Sequence, residues 1–337
     1  MIANYGAHEA WRGTRVLVTG AGGFIGSHAV EALVRSGARI RALLRYNSSG
    51  DRGALRWSRP GLLREVEFVE GDLRDPESVA GAVAQCQVVL HFGAQVSVPY
   101  SYINVRDFFE TNTMGTLNLA LAACRQDVQR LVLVSSSEVY GSAQFIPMSE
   151  KHPLQAQSPY AASKIGAEQL VLSLTRSFGL SATIVRPFNT YGPRQTARAI
   201  IPAILSQAVR RSRVHLGSLW PRRDLTFVDD TVAGVLALAR ASESKGEIVN
   251  IGTGHDVSVG DLIAMVEVIV GHELDVQVDD RRVRPAASEV SRLQCDPSKA
   301  ASLVGWAPTV TLEEGLRRTA DWICANAEQF DLGRRLI

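Results

Sequence analysis

The chain has 337 residues, 46% of them hydrophobic and 21% charged, with a net charge of +2. This is the make-up of an ordinary globular protein, with room for one large α/β domain and a smaller one. So small a net charge provides no general pull toward nucleic acid or an anionic membrane surface.

Arginine far outnumbers lysine, and several arginines stand where phosphate binding is expected. The four cysteines, Cys86, Cys124, Cys295 and Cys324, are dispersed and form no CxxC pair. No metal site is therefore expected, and a reduced, cytoplasmic compartment fits. Residues 1–14 are polar, with His8, Glu9 and Arg12, and lack the apolar core of a signal peptide. No run approaches 18 uninterrupted apolar residues, so no membrane association is expected.

In chain order, the apolar run Arg15-Val16-Leu17-Val18-Thr19 leads into Gly20-Ala21-Gly22-Gly23-Phe24-Ile25-Gly26. A helical pattern follows, with Ile25, Ala29, Ala32 and Leu33 on one face, and closes at Ser36-Gly37. Strand, glycine turn and helix together predict a dinucleotide site at Gly20, Gly23, Phe24, Ile25 and Gly26. Backbone amides approach the pyrophosphate there, and the helix N-terminus adds partial positive charge. A second strand over 38–44 ends in Leu44-Arg45-Tyr46-Asn47-Ser48 without the acid that commonly holds the NAD ribose. Arg45 and Ser48 suit a 2′-phosphate instead, which favours NADP over NAD; the plainer alternative for Arg45 is a solvated loop charge.

Residues 48–64 read as a loop rich in Gly, Ser and Arg. A third strand over 66–73 ends at Asp72 and Leu73, with Asp72 placed for the adenine amino group or as a helix cap near Pro76. A fourth strand, 88–94, runs into Phe92-Gly93-Ala94, where small residues let a cofactor lie against the backbone; His91 reads as a packed strand-end histidine. Helical patterning covers 104–125 and encloses Asn112, a candidate buried polar residue at a kink or beside the substrate. The fifth strand, 131–134, is apolar throughout, as a buried parallel strand should be, and ends in Ser135-Ser136-Ser137-Glu138. A sixth covers 182–186.

Strands alternating with helices for about 190 residues predict a doubly wound parallel sheet. After Pro187 the pattern loosens: helix 199–211, strand 213–217, helix 229–240, strand 247–250, helix 259–270, strand 274–278 and a terminal helix from Leu312. The fold class is thus α/β, a Rossmann-type sheet over 14–190 that also takes sheet elements from about 225–255. A smaller C-terminal substrate-binding domain, mainly 191–330, is interleaved with it.

The stretch Ser158-Pro159-Tyr160-Ala161-Ala162-Ser163-Lys164 opens a helix. Tyr160 and Lys164, four apart, share a face, and a lysine beside a phenol lowers its pKa toward that of a useful base. Alone the pair is a weak signal. With GxxGxxG, Asp72-Leu73, the serine run and YxxxK in this order, residues 14–325 resemble the extended short-chain dehydrogenase/reductase family. Its nucleotide-sugar branch is resembled by Arg186-Pro187-Phe188-Asn189-Thr190-Tyr191-Gly192-Pro193-Arg194, by Arg223 to Asp230, and by Arg284-Pro285 with Ser288-Glu289-Val290. Within that branch the texture is similar to nucleotide-sugar 4,6-dehydratases. The GDP-N-acetylglucosamine type of legionaminic acid synthesis is nearest, and the GDP-mannose type shares the Ser-Glu step.

The resemblance implies roles. Tyr160 takes the C4 hydroxyl proton, Lys164 supports it and holds the nicotinamide ribose, and Ser136 bonds the C4 oxygen. Glu138 removes the C5 proton and helps expel the C6 hydroxyl, while Ser137 stands where dTDP-glucose dehydratases have an aspartic acid. Pro187 joins the cofactor set. Asn189, Arg223 and Arg284 are assigned to the substrate pyrophosphate and its neighbourhood, Glu289 to the nucleoside ribose and Leu216 to the base pocket. A retained and regenerated NAD(P) and a homodimer built on 104–125 and 160–178 are further implications. The alternatives are a 4-epimerase, which has no use for Glu138, and a 5,6-dehydratase that does not return hydride to C6. A non-catalytic NAD(P)-binding regulator would instead lack one of Ser136, Tyr160 and Lys164.

Overall fold

A computed structural model describes residues 10–327. The polar stretch around His8 and the expected end of the second domain at 328–330 lie outside the described residues.

The first half runs β1 (Arg15–Thr19), α1 (Phe24–Arg35), β2 (Arg39–Leu44), β3 (Glu67–Glu70), α2 (Pro76–Val83), β4 (Val88–His91), α3 (Val98–Ser101), α4 (Val105–Phe108), α5 (Gly115–Arg125), β5 (Arg130–Val134), α6 (Pro159–Phe178) and β6 (Ala182–Pro187). The second half runs β7 (Asn189–Tyr191), α7 (Ile200–Ala208), β8 (Arg213–Leu216), β9 (Arg222–Phe227), α8 (Val228–Arg240), β10 (Ile248–Ile251), β11 (Asp256–Ser258), α9 (Val259–Val270), β12 (Asp275–Val278), β13 (Arg292–Leu293), α10 (Ser298–Val304) and α11 (Leu312–Ala325).

Seven strands form one sheet in the order β10-β6-β5-β4-β1-β2-β3. Each neighbouring pair is parallel, and β5 is buried at all five positions, which is why Leu131 to Val134 are apolar without alternation. The order turns back between β1 and β4, and that switch opens a crevice at the strands' carboxyl ends. Two apolar layers cover the sheet. One packs Val16, Val18, Val30 and Leu33 with Val235, Leu238 and Trp306; the other packs Leu17, Val89, Leu131 and Leu133 with Leu119, Val171 and Leu174.

A second sheet is centred on β9, parallel to β7 and β13 and antiparallel to β11, and β8 pairs with β12. From the 225–255 region β10 joins the main sheet and α8 covers it. The strand β9, which the sequence pattern did not single out, lies at the centre of the second sheet. Helix α1 is buried on two sides, Val30 and Leu33 toward the main sheet and Ala29 toward the core of the second.

The expected helix over 104–125 is broken. Between α4 and α5 the residues Phe109–Met114 form a π-helical turn. The extra residue per turn swings Asn112 inward to 1% exposure. There it accepts from Gln95 N (2.7 Å) and donates to Gln95 O (3.0 Å) and to Ser163 Oγ (2.9 Å). Asn112 thus ties the strand-end loop after β4 to α6, and its donors are spent within the protein. The substrate contact expected of it is replaced by this internal brace. Leu216 is likewise corrected: at 1% exposure it packs in the core of the second sheet with Val214, Ile204 and Leu274.

Candidate active site

The glycine turn after β1 is shaped by contacts that no side chain could replace. Gly20 has φ +65°, and an added Cβ would stand 2.7 Å from Gly93 N and 2.8 Å from the Phe92 carbonyl carbon. A Cβ on Gly26 would meet Gly20 O at 2.2 Å, and one on Gly23 would meet it at 3.1 Å. Gly93 in turn leaves no room beside Leu73, whose Cδ1 would lie 2.8 Å from an added Cβ. Gly20, Gly23, Gly26, Leu73, Phe92 and Gly93 therefore close on one another at the switch point, with Phe24 and Ile25 opening α1 and Ala94 following Gly93. This backbone cradle at a helix N-terminus fits a dinucleotide pyrophosphate.

At the far end, Arg45, Tyr46, Glu70, Gly71, Asp72, Asp75 and Ser78 line one cavity. Asp72 accepts from the Arg74 guanidinium at 2.6 Å, and that bond, with burial opposing it, holds its carboxyl below the usual range. The helix cap is Asp75, whose side chain accepts from Glu77 N, so the capping alternative for Asp72 is excluded. His91, 1% exposed, lies between Thr19 Oγ1 (2.7 Å) and Thr116 Oγ1 (3.0 Å). Burial pushes it down to about 3, so it is a neutral packed residue, as its strand-end position suggested.

The catalytic candidates converge at the ends of β5 and the start of α6. Ser158 caps α6, accepting from Ala161 N, and Pro159 sits in its first turn. Tyr160 packs edge-on against Phe108 in a pocket with Val98. The Ser136 hydroxyl accepts from Glu138 N, capping the short 3-10 turn Ser137–Tyr140, and stands near enough to the Tyr160 phenol to favour its ionisation. Ser137 is buried within that turn.

One electrostatic expectation is reversed. Lys164 is buried and donates to Val134 O at 2.9 Å, at the end of β5. It is absent from the groups that shift Tyr160, which burial pushes up to about 12, with Ser136 opposing and the Glu138 charge adding. Burial also draws Lys164 down to about 8, against the pull of Glu168 one turn along the helix. The i,i+4 spacing gives a shared face, as expected, but not mutual stabilisation.

Glu138 faces the second sheet. Arg284 Nη1 stands 3.6 Å from Glu138 Oε1 and 4.0 Å from Glu289 Oε1, and Arg223 Nη2 donates to Glu289 at 3.4 Å. Two guanidiniums and two carboxylates thus form one cluster. Burial, with Arg284's like charge, pulls Arg223 below its ordinary value, while Glu138 and Glu289 work the other way. Arg284 Nη1 and Asn189 Oδ1 are buried with no hydrogen-bond partner. Pro187 ends β6 opposite Ile251.

Three residues to which the motifs assigned no role complete the surroundings. Glu168, fully buried on the face of α6 shared with Tyr160 and Lys164, receives Arg186 Nε (2.9 Å) and Nη2 (2.5 Å). Arg186 Nη1 donates to Tyr140 OH at 2.9 Å. The available signal was a charged residue within an otherwise apolar strand. Among the described residues, no group of three or more His, Cys, Asp and Glu is placed to hold a metal, and no helix is long and apolar enough to cross a membrane.

Comparison with known proteins agrees with this geometry. The family described as GDP-mannose 4,6 dehydratase matches residues 17–319. The dTDP-glucose 4,6-dehydratase of Streptomyces antibioticus is 35% identical over 314 residues, covering 91% of this chain and 91% of that protein. A putative UDP-glucose 4-epimerase of Methanocaldococcus jannaschii is 31% identical over 318 residues, covering 92% and 99%. A double mutant of DesIV, a dTDP-glucose 4,6-dehydratase from Streptomyces venezuelae solved with NAD bound, superposes with a TM-score of 0.84 at 30% identity, covering 94% and 99%. The chain belongs to the GDP-mannose 4,6-dehydratase family of short-chain dehydrogenase/reductase-type nucleotide-sugar enzymes.

Proposed function

We propose that the protein is an NAD(P)-dependent nucleotide-sugar 4,6-dehydratase, acting on an NDP-hexose or NDP-N-acetylhexosamine. The observation that carries this reading is Glu138, a carboxylate on the same turn as Ser136 and close enough to Tyr160 for its charge to act on the phenol. A 4-epimerase needs no such group, whereas a dehydratase needs a proton acceptor at C5.

The glycine cradle suits a dinucleotide, and when bound the nicotinamide supplies a hydride acceptor for C4 and a donor for C6. Tyr160 receives the C4 hydroxyl proton as its phenolate, a form that burial disfavours and the Ser136 hydroxyl favours, and Ser136 orients the C4 oxygen. The resulting 4-keto group acidifies C5–H. Glu138 takes that proton, the C6–O bond breaks, and Glu138 gives the proton to the leaving hydroxyl, which departs as water; hydride return to C6 would then be matched by protonation of C5 from solvent. With Ser137 in place of an acid, one carboxylate serves both transfers. Lys164 holds Val134 O and with it the end of β5. Arg223 and Arg284 suit the substrate pyrophosphate, since guanidiniums match phosphate oxygens in bidentate fashion. Asn189 and Glu289 belong with them.

The bounds 14–190 for the cofactor domain and 191–330 for the substrate domain are part of this reading. So are NADP rather than NAD, by virtue of Arg45, a cytoplasmic location and a homodimer through α5 and α6. The 4-epimerase is the second reading, favoured by the name of the Methanocaldococcus relative.

Incubation with a panel of NDP-sugars in heavy water, read by mass spectrometry, separates the two. The dehydratase product has lost water and gained one solvent deuteron at C5. Isomerisation without water loss, or no turnover of any sugar, refutes the dehydratase.

A further inference from the structure

The turn carrying Glu138 is held against α6 at two points. At its start, the Ser136 hydroxyl, which accepts from Glu138 N, stands beside the Tyr160 phenol, close enough to ease its ionisation. At its end, the Tyr140 hydroxyl accepts from Arg186 Nη1 at 2.9 Å, and the same guanidinium holds Glu168 through two bonds. Glu168 lies eight residues beyond Tyr160 on α6, roughly 12 Å along the helix. Glu138 sits between the two fastenings. Tyr140 also donates to Asn250 Oδ1 at 2.7 Å on β10, so the far fastening engages the sheet as well as the helix.

We propose that Tyr140, Arg186 and Glu168 form a buried clamp that aims Glu138 at the substrate, making them positioning residues for elimination rather than for oxidation at C4. The inference rests on the proton-accepting role proposed for Glu138. Its physical basis is the arrangement of the two fastenings. The near one is made by the residues that contact C4 and survives without the clamp. The far one contains no group that contacts substrate, yet it sets where the middle of the turn points. All three side chains are buried, with Tyr140 and Glu168 fully enclosed and Arg186 at 2% exposure. The clamp is therefore shielded from competing water and holds one geometry. A guanidinium suits this place because its fixed fork serves a carboxylate and a phenol at once; a lysine ammonium has no such fork.

The variant that loosens the clamp most gently is Tyr140→Phe, which keeps the ring and removes one hydroxyl. In the cofactor-loaded protein mixed with its nucleotide sugar, the expected result is a split. Water loss and C5 deuteration slow by about ten-fold to a hundred-fold, the cost of a misplaced reacting group. Formation of reduced nicotinamide slows far less, so the reduced cofactor accumulates where the parent shows little. KM changes little. Arg186→Lys, which keeps the charge opposite Glu168 but not the fork, shows the same split and replaces Tyr140→Phe if that variant does not fold. Both half-reactions falling together in step with a lowered Tm would make the clamp merely structural and overturn the proposal, as would an unchanged partition.

A crystal structure of the variant reads the clamp independently of the reaction. Glu138 is expected to move away from its 3.6 Å approach to Arg284. If the parent releases no water from any sugar, the dehydratase reading and the elimination role fall together, and this structure tests what is left: a displaced Glu138 shows that the clamp sets its position, and an unmoved one refutes that as well.

Discussion

Replacing Lys164 by methionine should make the protein more stable near neutral pH, although it removes a proposed active-site residue. In the folded protein Lys164 titrates at about 8 against an ordinary 10.5, chiefly because burial penalises the charged form. At ~1.4 kcal/mol per pH unit this corresponds to about 3 kcal/mol. The sign follows from a lowered lysine pKa. Below pH 8 both folded and unfolded chains carry the proton, and the folded state bears the whole penalty. Between 8 and 10.5 the folded lysine loses its proton first, so stability rises with pH; above 10.5 the penalty is gone. Methionine fills a similar volume without charge but forfeits the bond to Val134 O, worth about 1–2 kcal/mol. The net expectation is a gain of about 1–2 kcal/mol at pH 7 that shrinks and then reverses as pH rises through 8 to 10.5. Urea unfolding of parent and variant across that range measures it. The difference must be taken at each pH, because Tyr160 and Tyr140, both raised to about 12, lower the stability of both proteins above pH 10. A stability difference that stays constant from pH 8 to 10 would refute the reasoning.

Glu138→Gln should cut water loss by about a hundred-fold or more while leaving cofactor binding intact, as expected for removal of a proton acceptor; full activity in a product-mass assay would remove Glu138 from the reaction. Arg45→Ala should weaken NADP binding about ten-fold and NAD binding little, by titration of the cofactor-free protein; equal losses would end the preference drawn from Arg45. Gly26→Ala puts a Cβ 2.2 Å from Gly20 O, backbone against backbone, and should cost about 1–3 kcal/mol in unfolding experiments and lower dinucleotide affinity. An unchanged Tm with full affinity would show that the turn is looser than its contacts imply. Asp224→Ala removes the acceptor of three amides, those of the half-buried Thr253 and Gly254 and of the buried Cys295, and should cost about 3 kcal/mol. A melt within about 2 °C of the parent's would contradict that.

What was legible in the sequence depended on how far apart the cooperating residues lie. The glycine turn, the apolar run of β5 and the Ser158-Pro159 helix start are local patterns, set by backbone sterics, burial on both faces and capping, and they stand in the structure where the spacing puts them. Glu138 was legible for the same reason, being two residues past Ser136. Asn112 was legible as a kink but not as a brace, because its partners Gln95 and Ser163 are 17 and 51 positions away. Leu216 was assigned to the base pocket by the resemblance alone; the pairing of β8 with β12 that buries it is invisible without the fold. Lys164 shows the limit of spacing. Four residues on a helix share a face, yet the side chain can turn along it, and Val134 O offered a buried acceptor.

Arg186 carries a further lesson about reading strands. Five of the six residues of β6 are uncharged, and all six are buried. A parallel strand between β5 and β10 has no solvent edge to which an arginine could reach, so its charge must be met inside. An unpaired guanidinium there would cost several kcal/mol, and removing one partner of a buried pair typically costs about 3–5 kcal/mol. Its partners have to come from within the protein: the buried Arg130 of β5 is met by Thr183 Oγ1, Ser244 Oγ and Ala241 O, whereas Arg186 is met by an acid on an element that covers that face of the sheet. Helix α6 does so, and of its residues only Glu168 is acidic. Once the strand order and the covering helix are known, composition points to this pair, one turn from Lys164. A charge that the sheet does not need, kept beside residues that the reaction does need, is better explained by geometry it maintains than by stability, because an apolar pair of the same volume would hold the layers together as well.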